Sequence, residues 1–562
     1  MSVASVSVAA AHSVGRTVDR LLDRPRAVLG MLVAAQFLGT LVLALSVSHN
    51  GWVFFQGGDQ IWNATQGWLL GRLELAPTEL GYLWSYLLMP IMWVTGPTFV
   101  QALPPLVLMQ VLVLGPVALL CVYGIASNIG GRLLGYWATL LWVLAPFASI
   151  PLFVDRYQER WAEHFLPQAL GLTAMPDFPS MVLALAAAFY VVRSLSPGRM
   201  TDAVFAGVLV GAAAALKPSN FLIAFGIGLA YVVARRWREG LACAAATIPA
   251  LLVLLAWKYR GLGELPVLAL EQARVAAGAS PALADLNLDR YFDLDFEHWR
   301  KQMDGLREFF WSARLAQWAP IAGLIAVLRV RRGAIAALLA GWLAAFLVVK
   351  GLSPRASIEA NTFWRLLMPA WPAYLLLFAS IPLLIPTVAR RLGDRLDAPR
   401  APAIAPRWIV VAAIALAALP AVALAASSPA DPPTPGLFQG APGGEGSDIL
   451  APVDESVALT VERGGATRRL TWKDDASWRG NVFYRVYRYD GNDDDTACYI
   501  SGGVAWYCYL EGTLIATTRD HEYVDPSPPP HATYRIGVGT NWIDDPEEGD
   551  VFAFSPPVSP AG

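Results

Sequence analysis

The sequence predicts a polytopic α-helical membrane protein with about eleven transmembrane helices, followed by an extracytoplasmic β-sandwich. Three observations predict it. Of 562 residues, 56% are hydrophobic and only 15% charged, well under the roughly 25% charge of soluble domains. Apolar stretches of the roughly 17–25 residues needed to cross a bilayer recur along most of the chain. Beyond about residue 453 the pattern changes to short alternating runs: "TRRLTW", "FYRVYRY", "TYRIGVGTNW" and "DVFAFS".

The first span, Ala27 to Val47, follows Arg16, Arg20, Arg24 and Arg26. Its charged start is like that of a signal peptide, but its length and the spans that follow mark it as retained. Further spans are expected at Leu103–Ile125, Leu133–Ile150, Phe178–Leu195, Asp202–Leu216, Asn220–Ala234, Gly240–Trp257, Ala319–Val330, Gly333–Val349, Leu366–Val388 and Trp408–Ala426. Tyr82–Gly96 is apolar but short and broken by Pro90, which suits a surface segment better than a crossing.

Arginine placement orients the chain. With the N-terminus inside, Arg132, Arg199, "ARRWREG", "RVRRG" and "ARRLGDRLDAPR" all fall on the cytoplasmic side, as the positive-inside rule requires. Counting Tyr82–Gly96 as a crossing would put the later clusters opposite the first ones. An odd number of spans then sends the C-terminus outside. The outer face holds residues 49–102, 151–177, 259–318 and everything from Ser427 onward.

The resulting organisation is a cytoplasmic N-terminus (1–26), a transmembrane domain (27–426), a Pro/Gly-rich linker (427–452) and a sandwich (453–562). The sandwich resembles a fibronectin type III module, with Trp472 on an early strand and Tyr534 in the corner position. Cys498 and Cys508 lie in it on the oxidising side, so a disulfide between them is expected. Cys121 and Cys243 fall in spans as packing residues. The four cysteines and six histidines have no zinc-type spacing, and a net charge of −2 gives no electrostatic case for nucleic acid.

Chemistry-bearing residues gather on the outer face. Asp59, in "GGDQIW", stands before "QIWNATQGWLLGRL", where it would cap a helix lying along the interface. That helix is expected to turn Ile61, Trp62, Leu69 and Leu70 toward lipid, and Gln60, Asn63 and Gln66 away. Capping and catalysis are compatible for Asp59. The second outer loop carries Asp155, Glu159, Glu163 and His164, and ends in Asp177 at the rim of the next span. Ionisable groups at membrane level are functional candidates. Lys217, Lys258, Arg260, Arg355 and Arg365 lie at outer ends of spans. Snorkelling accounts for most such residues, yet these run against the positive-inside trend and suit an anionic phosphate headgroup. The amphipathic stretch "LDRYFDLDFEHWRKQMDGLREFFW" packs on the membrane or covers a site. Asn63-Ala64-Thr65 matches a glycosylation pattern but sits inside a helix and is set aside.

Four stretches together resemble the GT-C superfamily of polyprenyl-phosphate-sugar-dependent membrane glycosyltransferases: "GGDQIW" with "GYLWSYLLMPIMWVTGP", "MPDFPS", "AGVLVGAAAALKPSNFL" and "FWRLLMPAWPAYLLLFA". They cover about Val28 to Pro386; the sandwich lies outside the resemblance. It implies that Asp59 acts as general base on an acceptor hydroxyl, which attacks the anomeric carbon and inverts it. It also implies that Arg365, with Lys217, Arg260 or Arg355, binds the donor phosphate. Asp177 or Asp155 would orient the acceptor or hold a metal. Many members carry two acids close together in the first loop; here Gln60 follows Asp59, leaving Glu74 or Glu79 as the second. No cofactor or metal is therefore expected, although some members use Mg or Mn. The implied partners are a polyprenyl-phosphate-linked sugar, a glycan, lipid or protein acceptor, and the bilayer. The implied location is a bacterial cytoplasmic (inner) membrane. Three rivals stand: an O-antigen ligase or polymerase using His298 and Arg300, a lipid-linked glycan transporter, and an inactive scaffold. Spans almost free of charge, without repeat symmetry, argue against the transporter.

Overall fold

The computed structural model describes residues 24–46, 59–75, 81–96, 99–155, 158, 161, 165–262, 294–310, 312–354, 356–358, 362–393, 402–429, 456–474, 482–489, 496–501, 505–510, 513–540 and 550–560. It is a multi-pass helical domain followed by a β-sandwich. The linker expected at 427–452 lies largely outside the described residues.

Helix α1 (Pro25–Ser46) precedes two short helices, α2 (Asp59–Gly71) and α3 (Tyr82–Thr95), packed against each other. Helices α4 (Phe99–Met109) and α5 (Gly115–Ala148) flank a π-helical turn, Gln110–Leu114. Helix α5 is two helices in one: Gly130 and Gly131 leave helical geometry, Gly131 at φ +84°. The Tyr123 and Tyr136 rings stack with centroids 5.4 Å apart. In a continuous helix thirteen residues would separate them by about 20 Å, so the chain folds back here.

Helices α6 (Asp177–Ser194) and α7 (Met200–Leu216) form the central hairpin, turning at Gly198 with φ +74°. Helices α8 (Ile223–Ala234) and α9 (Trp237–Leu262) follow. Helix α7 packs closely on α9, because a Cβ on Gly207 would overlap the Cys243 carbonyl and Thr247 Oγ1 donates to the Gly207 carbonyl at 3.1 Å. Beyond residue 293 come α10 (Phe296–Phe309), α11 (Ala313–Arg329), α12 (Gly333–Phe346), α13 (Thr362–Leu367), α14 (Trp371–Ser380), α15 (Pro406–Ala413) and α16 (Leu419–Ala426).

Among the described residues, seven stretches are long and apolar enough to cross a membrane. The folded-back stretch Ala102–Ala148 counts once among them, while Met200–Leu216 and Pro218–Ala234 are apolar but shorter. The expected eleven therefore includes segments below the usual spanning length. Tyr82–Thr95, at 14 residues, is likewise too short to cross.

The contacts sort charge onto two ends of the bundle. At one end fully buried Asp202 holds Arg193 (3.3 Å) and Arg199 (3.5 Å). It also accepts from the backbone N–H of Ile404 at 3.0 Å, which fastens the chain before α15 to the α6/α7 turn. The other end carries Asp177.

One surface expectation is corrected in part. On α2, Leu69 and Leu70, expected toward lipid, are buried along with Gln60, Asn63 and Gln66; the side chains of Ile61 and Trp62 lie outside those described.

The chain leaving α16 pairs back onto the segment after α2. Strands β1 (Glu74–Leu75) and β2 (Ser428–Pro429) run parallel, and Ser428 N–H donates to the Leu73 carbonyl at 2.8 Å. The sandwich contains β3 (Ala458–Gly464), β4 (Thr467–Lys473), β5 (Val482–Tyr489), β6 (Thr496–Ser501), β7 (Ala505–Leu510), β8 (Thr513–Thr518), β9 (Glu522–Asp525), β10 (Thr533–Thr540) and β11 (Asp550–Phe554). A sheet of order β3-β4-β9 packs against one of order β11-β10-β5-β8, with β6-β7 an added hairpin. Trp472 meets Tyr484 between the sheets with ring centroids 5.4 Å apart. Tyr534, in the corner position, donates to the Asp525 carboxylate at 2.8 Å rather than to a backbone carbonyl.

The β6-β7 register sets Cys498 directly opposite Cys508. Opposed residues of an antiparallel pair have Cα atoms about 4.5–5.5 Å apart, within the span a disulfide bridges; their side chains lie outside the described ones. Intact-mass measurement of the alkylated protein should show these two cysteines protected without reductant and labelled with it. Labelling of both in the oxidised protein would contradict the pairing.

Candidate functional site

Three residues that the sequence presents separately meet in space. Asp177 opens α6 with its carboxylate fully buried, and Lys217 follows the last residue of α7. Helices of 18 and 17 residues joined by a tight turn bring these two ends to one level. Lys217 Nζ ion-pairs with Asp177 Oδ1. Arg365, from α13, places Nε 3.3 Å from Asp177 Oδ2. Each carboxylate oxygen thus meets a different cation. The side chains of Lys217 and Arg365 keep 19% and 29% of their surface exposed, so the cluster is sealed beneath Asp177 and open above it. Among the described ion pairs, one carboxylate meets two cations.

The segment that delivers Asp177 is itself buried from Leu170 to Pro176. Buried backbone polar groups must find partners, and distant elements supply them here. Gln60 Oε1, on α2, accepts from Ala174 N–H at 2.7 Å. Trp84 Nε1, on α3, donates to the Ala174 carbonyl at 2.9 Å. Gln110 Nε2 donates to the Thr173 carbonyl at 2.7 Å, from the π-helical turn, a feature frequent at functional sites. Gly171, at φ +76°, admits Phe178 where a Cβ would crowd it. Gly81 lets the start of α3 lie on the carbonyls of Ala215 and Leu216, immediately before Lys217.

The segment leading to Arg365 is held by a separate set of contacts. Asp295 caps α10, its Oδ1 accepting from His298 N–H at 2.8 Å. The His298 ring, through Nε2, hydrogen-bonds the Ala356 carbonyl. Gln302 Oε1 accepts from Ile358 N–H at 2.7 Å. Beside Arg365, Trp364 packs edge-on against Trp161 with ring centroids 5.3 Å apart; Phe153 stacks on Trp161 at 4.7 Å and meets Phe310 at 5.0 Å. The amphipathic stretch that forms α10 therefore braces the segment leading to Arg365.

The other sequence candidates fall as follows. Asp59 is the first residue of α2 and adjoins Gln60, which is bonded to the Asp177 loop; the Asp59 side chain lies outside those described. Asp155 is exposed and accepts from Gln158 at 3.2 Å; among the described contacts none joins it to Asp177. Arg260 donates to the Ala425 carbonyl at 3.3 Å, at the carbonyl end of α16. Glu74 lies beyond the far end of α2, roughly 20 Å from Asp59 along a 13-residue helix, and pairs with Arg72; it is not a second acid for this site. Arg355, Glu79, Glu159, Glu163 and His164 lie outside the described residues. Asn63 is buried, which agrees with setting its glycosylation pattern aside. Both oxygens of Asp177 are engaged by cations, so this donor set does not fit a divalent metal, nor is it free to orient an acceptor.

Sequence reasoning missed Gln60, Trp84, Gln110 and Gln302. The available signal was polar spacing at residues 60, 63 and 66 on one face of a short apolar helix.

No family model and no curated protein matches the sequence. Solved structures similar to this chain include the oligosaccharyltransferase AglB from Archaeoglobus fulgidus in complex with an inhibitory peptide and a dolichol-phosphate: 13% identity, 74% of this chain, 57% of that chain, TM-score 0.38. ArnT from Cupriavidus metallidurans bound to undecaprenyl phosphate is also similar: 14% identity, 69% of this chain, 62% of that chain, TM-score 0.37. The chain thus spans less than two thirds of each of these two neighbours, and at these scores the likeness carries no argument about chemistry.

Removing Asp177 leaves two cations facing each other, and breaking a buried pair from one side costs about 3–5 kcal/mol. Asp177→Ala should lower the thermal midpoint in detergent far more than Arg365→Gln, and Asp177→Ala/Arg365→Gln should recover part of the loss. Strict additivity of the two changes would show that they do not share an ion cluster.

Proposed function

We propose that the protein is an integral membrane glycosyltransferase that moves a sugar from a polyprenyl-phosphate donor to an acceptor hydroxyl on the extracytoplasmic side, with inversion. The observation that carries this reading is the Asp177–Lys217–Arg365 cluster: two half-open cations on one buried carboxylate, tied through Gln60 to the helix that Asp59 begins. Arg365 and Lys217 together suit phosphate oxygens geometrically.

In this mechanism the acceptor hydroxyl gives its proton to the Asp59 carboxylate as its oxygen bonds the anomeric carbon. The bond from that carbon to the phosphate oxygen breaks, and polyprenyl phosphate leaves with the electron pair. A phosphate monoester carries more negative charge than the diester it came from, so attraction to Lys217 and Arg365 grows as the bond breaks. Interactions that strengthen toward the transition state are the ones that accelerate a reaction. Asp177 is a positioning residue here, holding the two cations at a fixed spacing. In this reading the arginine-rich end of the bundle faces the cytoplasm, in keeping with the positive-inside rule, and the cluster and the sandwich lie on the extracytoplasmic side of a bacterial inner membrane. The acceptor is a glycan, lipid or protein hydroxyl.

The ligase reading loses support because the His298 ring is engaged by the Ala356 carbonyl and Arg300 is solvent-exposed.

Membranes containing wild type or Asp59→Asn, matched for protein level and given radiolabelled polyprenyl-phosphate sugars, test the proposal. Wild type should consume donor, and Asp59→Asn should be slower by about 10²-fold or more. Equal consumption would reduce Asp59 to a helix cap.

A further inference from the structure

The end of the bundle opposite Asp177 carries two matching turns. Helix α8 starts just past Lys217 and runs toward the Asp202 end, where Arg235 takes a left-handed conformation at φ 55°. Helix α11 ends the same way, with Arg331 at φ 59°. The hydrogen bonds are alike too. Arg235 N–H donates to the Val232 carbonyl and Arg236 N–H to that of Tyr231; Arg331 N–H donates to the Leu328 carbonyl and Arg332 N–H to that of Val327. This helix-ending motif ordinarily places glycine at the left-handed position, because a side chain there is strained. Here each turn holds an arginine instead, followed by a second one. The turns are neighbours. A Cβ on Gly226 would overlap the Leu338 carbonyl, and one on Gly333 would lie 3.8 Å from Val233 Cγ1. Helices α8 and α12 therefore run antiparallel in close contact, and this register brings the turn at Arg235 beside the turn at Arg331.

The charge there is unbalanced. Arg236 pairs with Glu239 at 3.4 Å, and among the described ion pairs none uses Arg235, Arg331 or Arg332. Arg235 and Arg331 are exposed. Just inside each turn the surface is apolar: Val232 and Val233 on α8, and Ile325 and Leu328 on α11, are exposed. Trp237, next to Arg236, is exposed as well, as interfacial aromatics are. The positive-inside rule asks only that arginines lie somewhere in a connection. It does not ask for them at strained positions, which point to function, nor for two doublets side by side. Phosphate on the arginines with acyl chains over the apolar surface below satisfies both parts, and that combination is a phospholipid. Two doublets about one interhelical spacing apart, 8–10 Å, suit two phosphates on a short bridge. We infer that the paired turns bind the headgroup of one diphosphatidylglycerol-class lipid of the adjoining leaflet. One phosphate lies on the turn of Arg235 and Arg236, the other on that of Arg331 and Arg332. The inference does not rest on the proposed enzymatic activity, because the turns lie at the opposite end of the bundle from Asp177.

Native mass spectrometry of the full chain in detergent, titrated with tetramyristoyl diphosphatidylglycerol or dimyristoyl phosphatidylglycerol, tests it. Wild type should retain the two-phosphate lipid about tenfold better at equal phosphate. Glycine is the residue that the left-handed positions favour, so Arg235→Gly and Arg331→Gly remove charge without threatening the fold, and the thermal midpoint in lipid-free detergent should hold. Each should weaken the two-phosphate lipid several-fold, and Arg235→Gly/Arg331→Gly should bind the two lipids alike. Arg407→Gln, at the start of α15 and outside both turns, should leave the preference intact. Equal retention of the two lipids by wild type, or an unchanged preference in the double variant, overturns the inference. So does an equal loss in Arg407→Gln, which would make the charge diffuse. Displacement of the lipid by inorganic pyrophosphate at equal concentration also overturns it, because the occupant would then be a soluble anion.

Discussion

The structure depends on one ion cluster. A carboxylate buried at the level of Asp177 is tolerable only if each oxygen is paired, and Lys217 and Arg365 meet that requirement from 40 and 188 residues away in sequence. The central hairpin makes the first pairing a matter of length, since two helices of nearly equal span bring Asp177 and Lys217 together. Asp202 does the same at the opposite end with Arg193 and Arg199. The hairpin is thus pinned by charge at both ends, and between them Gly207 and Gly211 let α9 close against α7.

Around the cluster the connecting segments converge for a second reason, the demand of buried backbone for hydrogen bonds. Residues 170–176 form no regular ladder, so Gln60, Trp84 and Gln110 complete them. That requirement ties α2 and α3 to the segment before α6. Helix α10 is tied to the Arg365 segment by His298 and Gln302, with aromatic packing from Trp161 and Trp364 beside it. A shift of any of these segments would therefore be felt at Lys217, Asp177 or Arg365.

Much of this was legible in the sequence, and the residues show where legibility ended. Hydropathy located the spans, because apolar length is a local property. It took Leu103–Ile125 and Leu133–Ile150 as separate spans, and Gly130–Gly131 is indeed where the chain doubles back. Asp177, Lys217 and Arg365 were each recognisable as charges at an outer rim. Their mutual pairing was not, since it depends on which helix ends meet; the sequence therefore suggested separate roles for acid and cations. On α2, Leu69 and Leu70 resemble a lipid face by composition, yet they are buried, and Gln60, turned from lipid as expected, completes a loop in need of partners. Arg260 was likewise recognisable as a rim cation, whereas its bond to the Ala425 carbonyl depends on a helix end that the sequence does not place beside it. In the sandwich, period-two alternation gave the main strands, while the β6-β7 hairpin was not separable from the sheets it interrupts.

The most direct test of the account is the affinity of the purified protein for a short prenyl phosphate, followed by competition with a labelled analogue in wild type, Lys217→Gln and Arg365→Gln. If the two cations on Asp177 form the phosphate site, each substitution should weaken binding about tenfold or more, some 1.4 kcal/mol, with the fold intact by thermal unfolding. Unchanged affinity in both variants would mean that the cluster serves only to hold the helices together, and that lipid phosphate is recognised elsewhere.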